Sequence, residues 1–186
     1  MEAVNPDLPR VTEVLKEVGL IDTTYLTEYG RERGTAAHLA CQFYDEGTLD
    51  YASLSPELEG YLRAYAAWKW DSGITEFSWV ECPLQDSVGR YRGTPDRILA
   101  TRPRQVVDIK GGAPMDWHAL QLAAYVNMLD DPYSYDRLGV YLHDDSTYAV
   151  KQYPKAQYQS DLNVFLSALN IVTWKRGMTN GRKQAN

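Results

Sequence analysis

Apolar residues along this chain change their period between one stretch and the next, and each change marks an element. Val11 to Val18 has helical spacing after Pro9, with Thr12 placed to cap the helix and Gly19 to end it. A second helical stripe runs from Arg31 to Glu46, with Ala36, Ala37, Ala40 and Phe43 on one side and Gly47 closing it. Ser55-Pro56 opens a third helix, to about Asp71, with serine as N-cap and proline in the first turn. Its apolar residues include Leu58, Leu62, Tyr65 and Trp68. The pattern then becomes strand-like over Thr75–Leu84, Gly89–Ala100 and Gln105–Lys110, with Asp86, Gly89, Arg102 and Pro103 in the turns. A helix follows over about Met115–Leu129, then strands over Leu138–Leu142 and Tyr148–Tyr153. Pro154–Trp174 reads as a last amphipathic helix, with a frayed tail from Gly177.

The order of helices, three strands, helix, two strands and helix predicts an α/β (α+β) fold with a mixed central sheet flanked by helices. One domain over 1–186 accommodates it. A helical part over about 1–74 carries His38, a sheet and helix over about 75–154 carry the strand motifs, the C-terminal helix spans 155–177, and 178–186 is tail.

Composition narrows the function classes. Hydrophobic residues make up 44% of the chain, as in globular proteins. Two cysteines, Cys41 and Cys82, are too few for a four-thiolate zinc or iron–sulfur site and suggest no disulfide framework. A reducing cytoplasm is the default expectation. No apolar run reaches membrane-spanning length, and polar Met1–Arg10 does not read as a signal peptide. The net charge of −6 has the wrong sign for a nucleic-acid partner, so a local basic surface or a bound metal would have to offset it.

The candidate chemistry lies in four short segments. In Asp108-Ile109-Lys110, residues two apart on a strand share a face, so the carboxylate and the ammonium point together while Ile109 points into the core. With this many acids and lysines, such a pair arises about once by chance, and alone it reads equally as a surface ion pair. Gly93-Thr94-Pro95-Asp96 lies on the preceding strand, and a hairpin centred on residue 102 sets Asp96 opposite Asp108. Two facing carboxylates favour a cation between them, and hard divalent ions such as Mg²⁺ and Mn²⁺ want such oxygens. Gly34 and His38 share a helix face in Gly34-Thr35-Ala36-Ala37-His38; the glycine admits a close approach, and the imidazole is either a core residue or a ligand that favours Mn²⁺. Gln121 and Tyr125 share a face of the following helix and are placed to contact phosphate or base, or else to be half buried.

In this order, Arg33-Gly34-Thr35-Ala36-Ala37-His38, Glu81 on a strand, Gly93-Thr94-Pro95-Asp96, Val107-Asp108-Ile109-Lys110 and Gln121-Leu122-Ala123-Ala124-Tyr125 resemble the RecB-like branch of the PD-(D/E)XK nuclease superfamily. Small phage-type exonucleases are the nearest kind, and Leu8-Pro9-Arg10-Val11-Thr12-Glu13-Val14-Leu15 also looks like the start of such proteins. The resemblance spans roughly residues 8 to 130 and implies a restriction-endonuclease-like core. It implies that His38, Asp96, Asp108 and the Ile109 carbonyl hold Mg²⁺ or Mn²⁺, that Lys110 is catalytic, and that Gln121 and Tyr125 contact DNA. Glu81 matches a frequent family acid. Gly111 departs from the family, where a hydroxyl residue commonly follows the lysine. The four-cysteine iron–sulfur cluster of some relatives is absent, as is any helicase motif.

The expectation is a DNA exonuclease acting on single-stranded or duplex ends in phage or bacterial recombination, repair or end processing. Its place would be the cytoplasm, or the host cytoplasm if viral, with a recombination or annealing protein as a further partner. A structure-specific endonuclease and a non-catalytic scaffold on the same fold are the alternatives. Arg33 and Arg92 are the expected DNA contacts. Arg31, Arg90, Arg97, Arg102 and Arg104 would extend them into a phosphate track, unless they are solvated strand faces. Tyr91 and Trp117 are candidates for base stacking, although most aromatics belong to cores, and His118 at best backs the cleft.

Overall fold

The computed structural model describes residues 3–22, 24 and 27–184, with side chains through residue 178. Among the described residues the helices are α1 (Val11–Glu17), α2 (Glu28–Glu46), α3 (Pro56–Asp71), α4 (Trp117–Val126) and α5 (Tyr158–Gln184). The strands among them are β1 (Trp79–Val80), β2 (Leu84–Gln85), β3 (Arg92–Gly93), β4 (Arg97–Leu99), β5 (Gln105–Gly111), β6 (Asp136–Leu142) and β7 (Tyr148–Tyr153). A five-stranded mixed sheet has the order β1-β4-β5-β6-β7, parallel only between β5 and β6, and β2 and β3 pair separately. This is the mixed sheet flanked by helices that the element order predicts.

Alternation along the strands assigns the two layers. Ile98 and Val106 pack with α1, α4 and α5, against Val14, Leu15, Leu122 and Phe165. Leu99, Val107, Ile109, Leu138, Val140 and Leu142 face α2 and α3, against Cys41, Leu58, Tyr65 and Trp68. Gly60 lets α3 lie on the β6–β7 turn: a Cβ there would meet the Asp144 carbonyl oxygen at 1.7 Å.

Several boundaries differ from the sequence reading. The expected strands 75–84 and 89–100 are each broken in two, because Pro83 and Pro95 cannot donate to a ladder and Glu81 takes φ 47°. Helix α1 is capped at Arg10 rather than Thr12, with the Glu13 carboxylate accepting from the Arg10 N–H at 3.0 Å. Helix α2 begins three residues early, because the Thr27 hydroxyl accepts from the Gly30 N–H at 3.0 Å. Helix α5 does not fray from Gly177 but continues to Gln184; no proline stops it, and Arg176 ties its later turns to Glu17 of α1 with Nε 3.1 Å from Oε1. Among the described residues, no helix is long and apolar enough to cross a membrane.

Candidate metal centre

The β4–β5 register pairs Arg97 with Val107, Ile98 with Val106 and Leu99 with Gln105. One step further sets residue 96 opposite 108, as the hairpin centre requires. There the ladder ends in a side chain: Asp96 Oδ2 accepts the Ile109 N–H at 2.6 Å. A strand residue directs its N–H and its C=O to the same side, so the Ile109 carbonyl faces the side on which Asp96 lies.

His38 comes from α2, with Nδ1 3.5 Å from Asp96 Oδ2. Glu81 comes from the break after β1, with its N–H bonded to the Asp96 carbonyl at 2.9 Å. His38, Glu81 and Asp96 each offer a ligand atom within 4.8 Å of the others. Glu81 holds a left-handed φ of 47°, a conformation that L residues avoid and that functional sites retain.

Asp108 and Lys110 share a strand face, toward α4. The Lys110 ammonium stands 2.7 Å from Asp108 Oδ2, an ion pair without the alignment of a hydrogen bond. Burial, and then the Asp96 charge, lift the Asp108 carboxyl to about 6 against the pull of Lys110. Burial and the neighbouring Asp96 likewise lift Glu81 to about 7. Carboxylates this close repel one another, and a divalent cation between them relieves that cost. Oxygens with one imidazole suit Mg²⁺ or Mn²⁺, the imidazole favouring Mn²⁺. The donor set therefore fits a divalent ion.

Arg97 orients this cluster from behind and is wholly buried. Its guanidinium meets Asp45 at 2.6 Å, Glu81 at 3.2 Å and the Asp96 carbonyl at 2.7 Å. Asp45 also binds Lys69 at 2.7 Å and the Tyr65 hydroxyl. The sequence reading missed this network; the signal was the alternation that turns Arg97 away from the face carrying Asp96.

Gln121 and Tyr125 lie buried beneath the acids, Gln121 Nε2 donating to the Tyr125 hydroxyl at 2.9 Å, with Gln121 Oε1 unpartnered. Gly93 makes room for the Tyr125 ring, whose Cε1 would stand 2.6 Å from an added Cβ. Burial first, then the Asp108 and Asp96 charges, keep the Tyr125 phenol protonated.

Two clefts flank the cluster. One of about 280 Å³ is lined by Arg33, Gly34, His38, Tyr61, Ile109 and Lys110 among others. Arg33 lies over the Tyr29 and Tyr61 rings at 5.5 and 5.6 Å. Among the described residues, nothing outside its chain neighbours and its own helix backbone approaches within 4 Å of a Cβ placed on Gly34, so this glycine opens onto the cleft. The other cleft, about 240 Å³, includes Arg10, Arg92, Thr94 and Tyr125; there Arg92 Nε donates to the Leu8 carbonyl at 3.0 Å.

Arg90, Arg97, Arg102 and Arg104 do not extend a track to this site. Arg97 is in the core and Arg90 is held by Asp86 at 2.8 Å. Arg104 pairs with Asp131 at 3.6 Å, and Arg102 and Arg104 lie at the far end of β5. Six residue steps along the strand separate Arg104 from Lys110, roughly 20 Å. Tyr91 is buried with its hydroxyl on the Ala124 carbonyl at 3.0 Å, so it offers no stacking face. His118 is also buried, and its Nδ1 accepts the Met115 N–H at 3.2 Å.

No protein-family model matches the chain, and no curated protein matches it. Among solved structures it is similar to one described as SSO0001, with 15% identity and a TM-score of 0.32, over 84% of this chain and 83% of that one. It is also similar to an alkaline exonuclease (LHK-Exo) from Laribacter hongkongensis, with 16% identity and a TM-score of 0.33, over 93% of this chain and 94% of that one. The same figures hold for that exonuclease in complex with dAMP. At these TM-scores the likeness assigns no function, and the functional reading rests on the site.

Proposed function

We propose that this chain is a divalent-metal-dependent deoxyribonuclease of the PD-(D/E)XK type, RecB-like branch, that hydrolyses phosphodiesters from DNA ends during recombination, repair or end processing. The observation that supports it is the convergence of His38, Glu81 and Asp96 within 4.8 Å, beside the Asp108–Lys110 pair on the neighbouring strand.

His38, Glu81 and Asp96 would hold the ion, with Asp108 and the Ile109 carbonyl completing the set. When bound, it would polarise a phosphoryl oxygen and lower the pKa of a water for in-line attack. The protein's own groups do the rest. Lys110, an ammonium beside Asp108, orients the water or steadies the growing phosphate charge. Arg97 keeps Glu81 and the Asp96 backbone in place, as supporting partners of ligands do. Arg33 in one cleft and Arg92 in the other take backbone phosphates; Gln121 and Tyr125, buried beneath the acids, back them from α4 rather than meeting the strand.

The test is digestion of linear single- and double-stranded DNA, labelled at either end, and of a covalently closed circle, with Mg²⁺, Mn²⁺ or EDTA. Loss of linear DNA with metal but not EDTA, leaving the circle intact, is expected. Cutting of the circle would establish the endonuclease alternative, and no cutting of any substrate would leave the scaffold.

A further inference from the structure

We propose that Trp117 is the positioning residue for Lys110, its indole face fixing where the ammonium stands beside Asp108. This deepens the nuclease reading and, for its catalytic consequence, rests on it. The Lys110 ammonium lies 5.2 Å from the centre of the Trp117 ring, within range of a cation–π attraction. The ammonium also pairs with the Asp108 carboxylate, at 2.7 Å. Lys110 carries a flexible four-carbon stem with no geometric preference of its own at the tip. Two contacts of different kind, one charged and one an aromatic wall, restrict it to one place.

The backbone explains why a tryptophan can stand there. Strand β5 ends at Gly111, and Gly112 takes φ 104°, a turn that L residues rarely make. That turn and the four residues after it bring the chain back, so that Trp117, the first residue of α4, covers the lysine seven positions before it. The indole is itself held. Its ring meets His118 edge-on at 4.1 Å and 76°. His118 is buried, and a backbone N–H can only donate, so Nδ1 is unprotonated and the ring is neutral. Nδ1 also meets the Tyr141 hydroxyl at 2.9 Å, which in turn bonds Tyr153 at 2.8 Å. Gly139 leaves the space into which Tyr141 folds, its hydroxyl 2.7 Å from an added Cβ. A chain of ring contacts and hydrogen bonds thus runs from β7 through β6 and α4 to the lysine. None of its members belongs to the proposed ligand set.

The experiment has two readouts on the full chain. In protein labelled with ¹³C at the lysine ε-carbons, the Lys110 signal is assigned by its loss in K110M and compared between wild type and W117L. The ring current requires the Lys110 signal to move when the indole is removed, while W117F keeps part of the shift. The second readout is the split of kcat from KM on linear DNA with Mn²⁺. W117L should lower kcat about tenfold, some 1.4 kcal/mol, with KM and Mn²⁺ dependence unchanged, and W117F should recover most of the loss. An unmoved Lys110 signal in a folded W117L overturns the proposal, and so does an unchanged kcat. If the wild type cuts no DNA, the nuclease reading fails by itself and the spectrum still decides whether Trp117 holds the lysine.

Discussion

Asp96 Oδ2 receives the backbone N–H of Ile109 at 2.6 Å, so a side chain takes the place of the next rung between β4 and β5. The carboxylate is thereby fixed by the sheet itself before any cation arrives. Asparagine can still accept that N–H but carries no charge. D96N should therefore fold, melt in EDTA at or above the wild-type temperature, and lose the rise in Tm that Mn²⁺ gives the wild type. Calorimetry with and without Mn²⁺ checks this; equal Mn²⁺ stabilisation in both proteins would remove Asp96 from the ligand set.

Lys110 is tested by truncation. K110A removes a donor beside the reacting phosphate, and such a loss typically costs about 10²–10³ in rate, roughly 3–4 kcal/mol. DNA binding in Ca²⁺ should remain. Near-normal cutting by K110A would refute its catalytic role.

Glu81 gives a pH signature. Its carboxyl is lifted from 4.5 to about 7 by burial and then by Asp96. Between those values the folded protein keeps a proton that the unfolded chain has lost. The contribution of Glu81 to stability is therefore fully present below about 4.5 and declines as pH rises through 7. In EDTA, the stability of wild type minus that of E81Q should fall across this window, measured by urea unfolding at several pH values. Taking the difference removes His118, whose slope has the opposite sign: burial and then Lys110 push its pKa down to about 3, so acid favours the unfolded state. A flat difference would count against the lifted carboxyl.

Arg97 is fully buried between Asp45, Glu81 and the Asp96 carbonyl. R97M leaves buried Asp45 with Lys69 as its remaining cation and Glu81 without its guanidinium partner, and breaking a buried pair typically costs about 3–5 kcal/mol. Lysine lacks the fork that spans these partners and should rescue little. Chemical denaturation decides it; a loss below about 1 kcal/mol would show the network to be dispensable.

Gly60 faces the Asp144 carbonyl oxygen so closely that a Cβ would sit 1.7 Å from it. G60A must push α3 off the β6–β7 turn, at about 1–3 kcal/mol, although alanine is the better helix former. An unchanged or raised Tm would be the contrary result.

The sequence by itself determined the long elements and the pairing geometry of the site. Period-two and helical spacing located β5, β7, α3 and α4 to within a few residues, because burial on one face imposes its period on the chain. The hairpin about residue 102 predicted the register that brings Asp96 to Asp108, since an antiparallel pair has one centre. Tertiary structure decided the rest. Pro83, Pro95 and the left-handed Glu81 broke two expected strands, and it was this break that delivered Glu81 to His38 and Asp96. Distance along the chain carries no record of such a meeting, nor of Asp45 reaching Arg97 across 52 residues. Nor could composition show which arginines face water: Arg97 has its charge answered inside the core, by Asp45 of α2, Glu81 after β1 and the Asp96 carbonyl, oxygens that tertiary packing brings together.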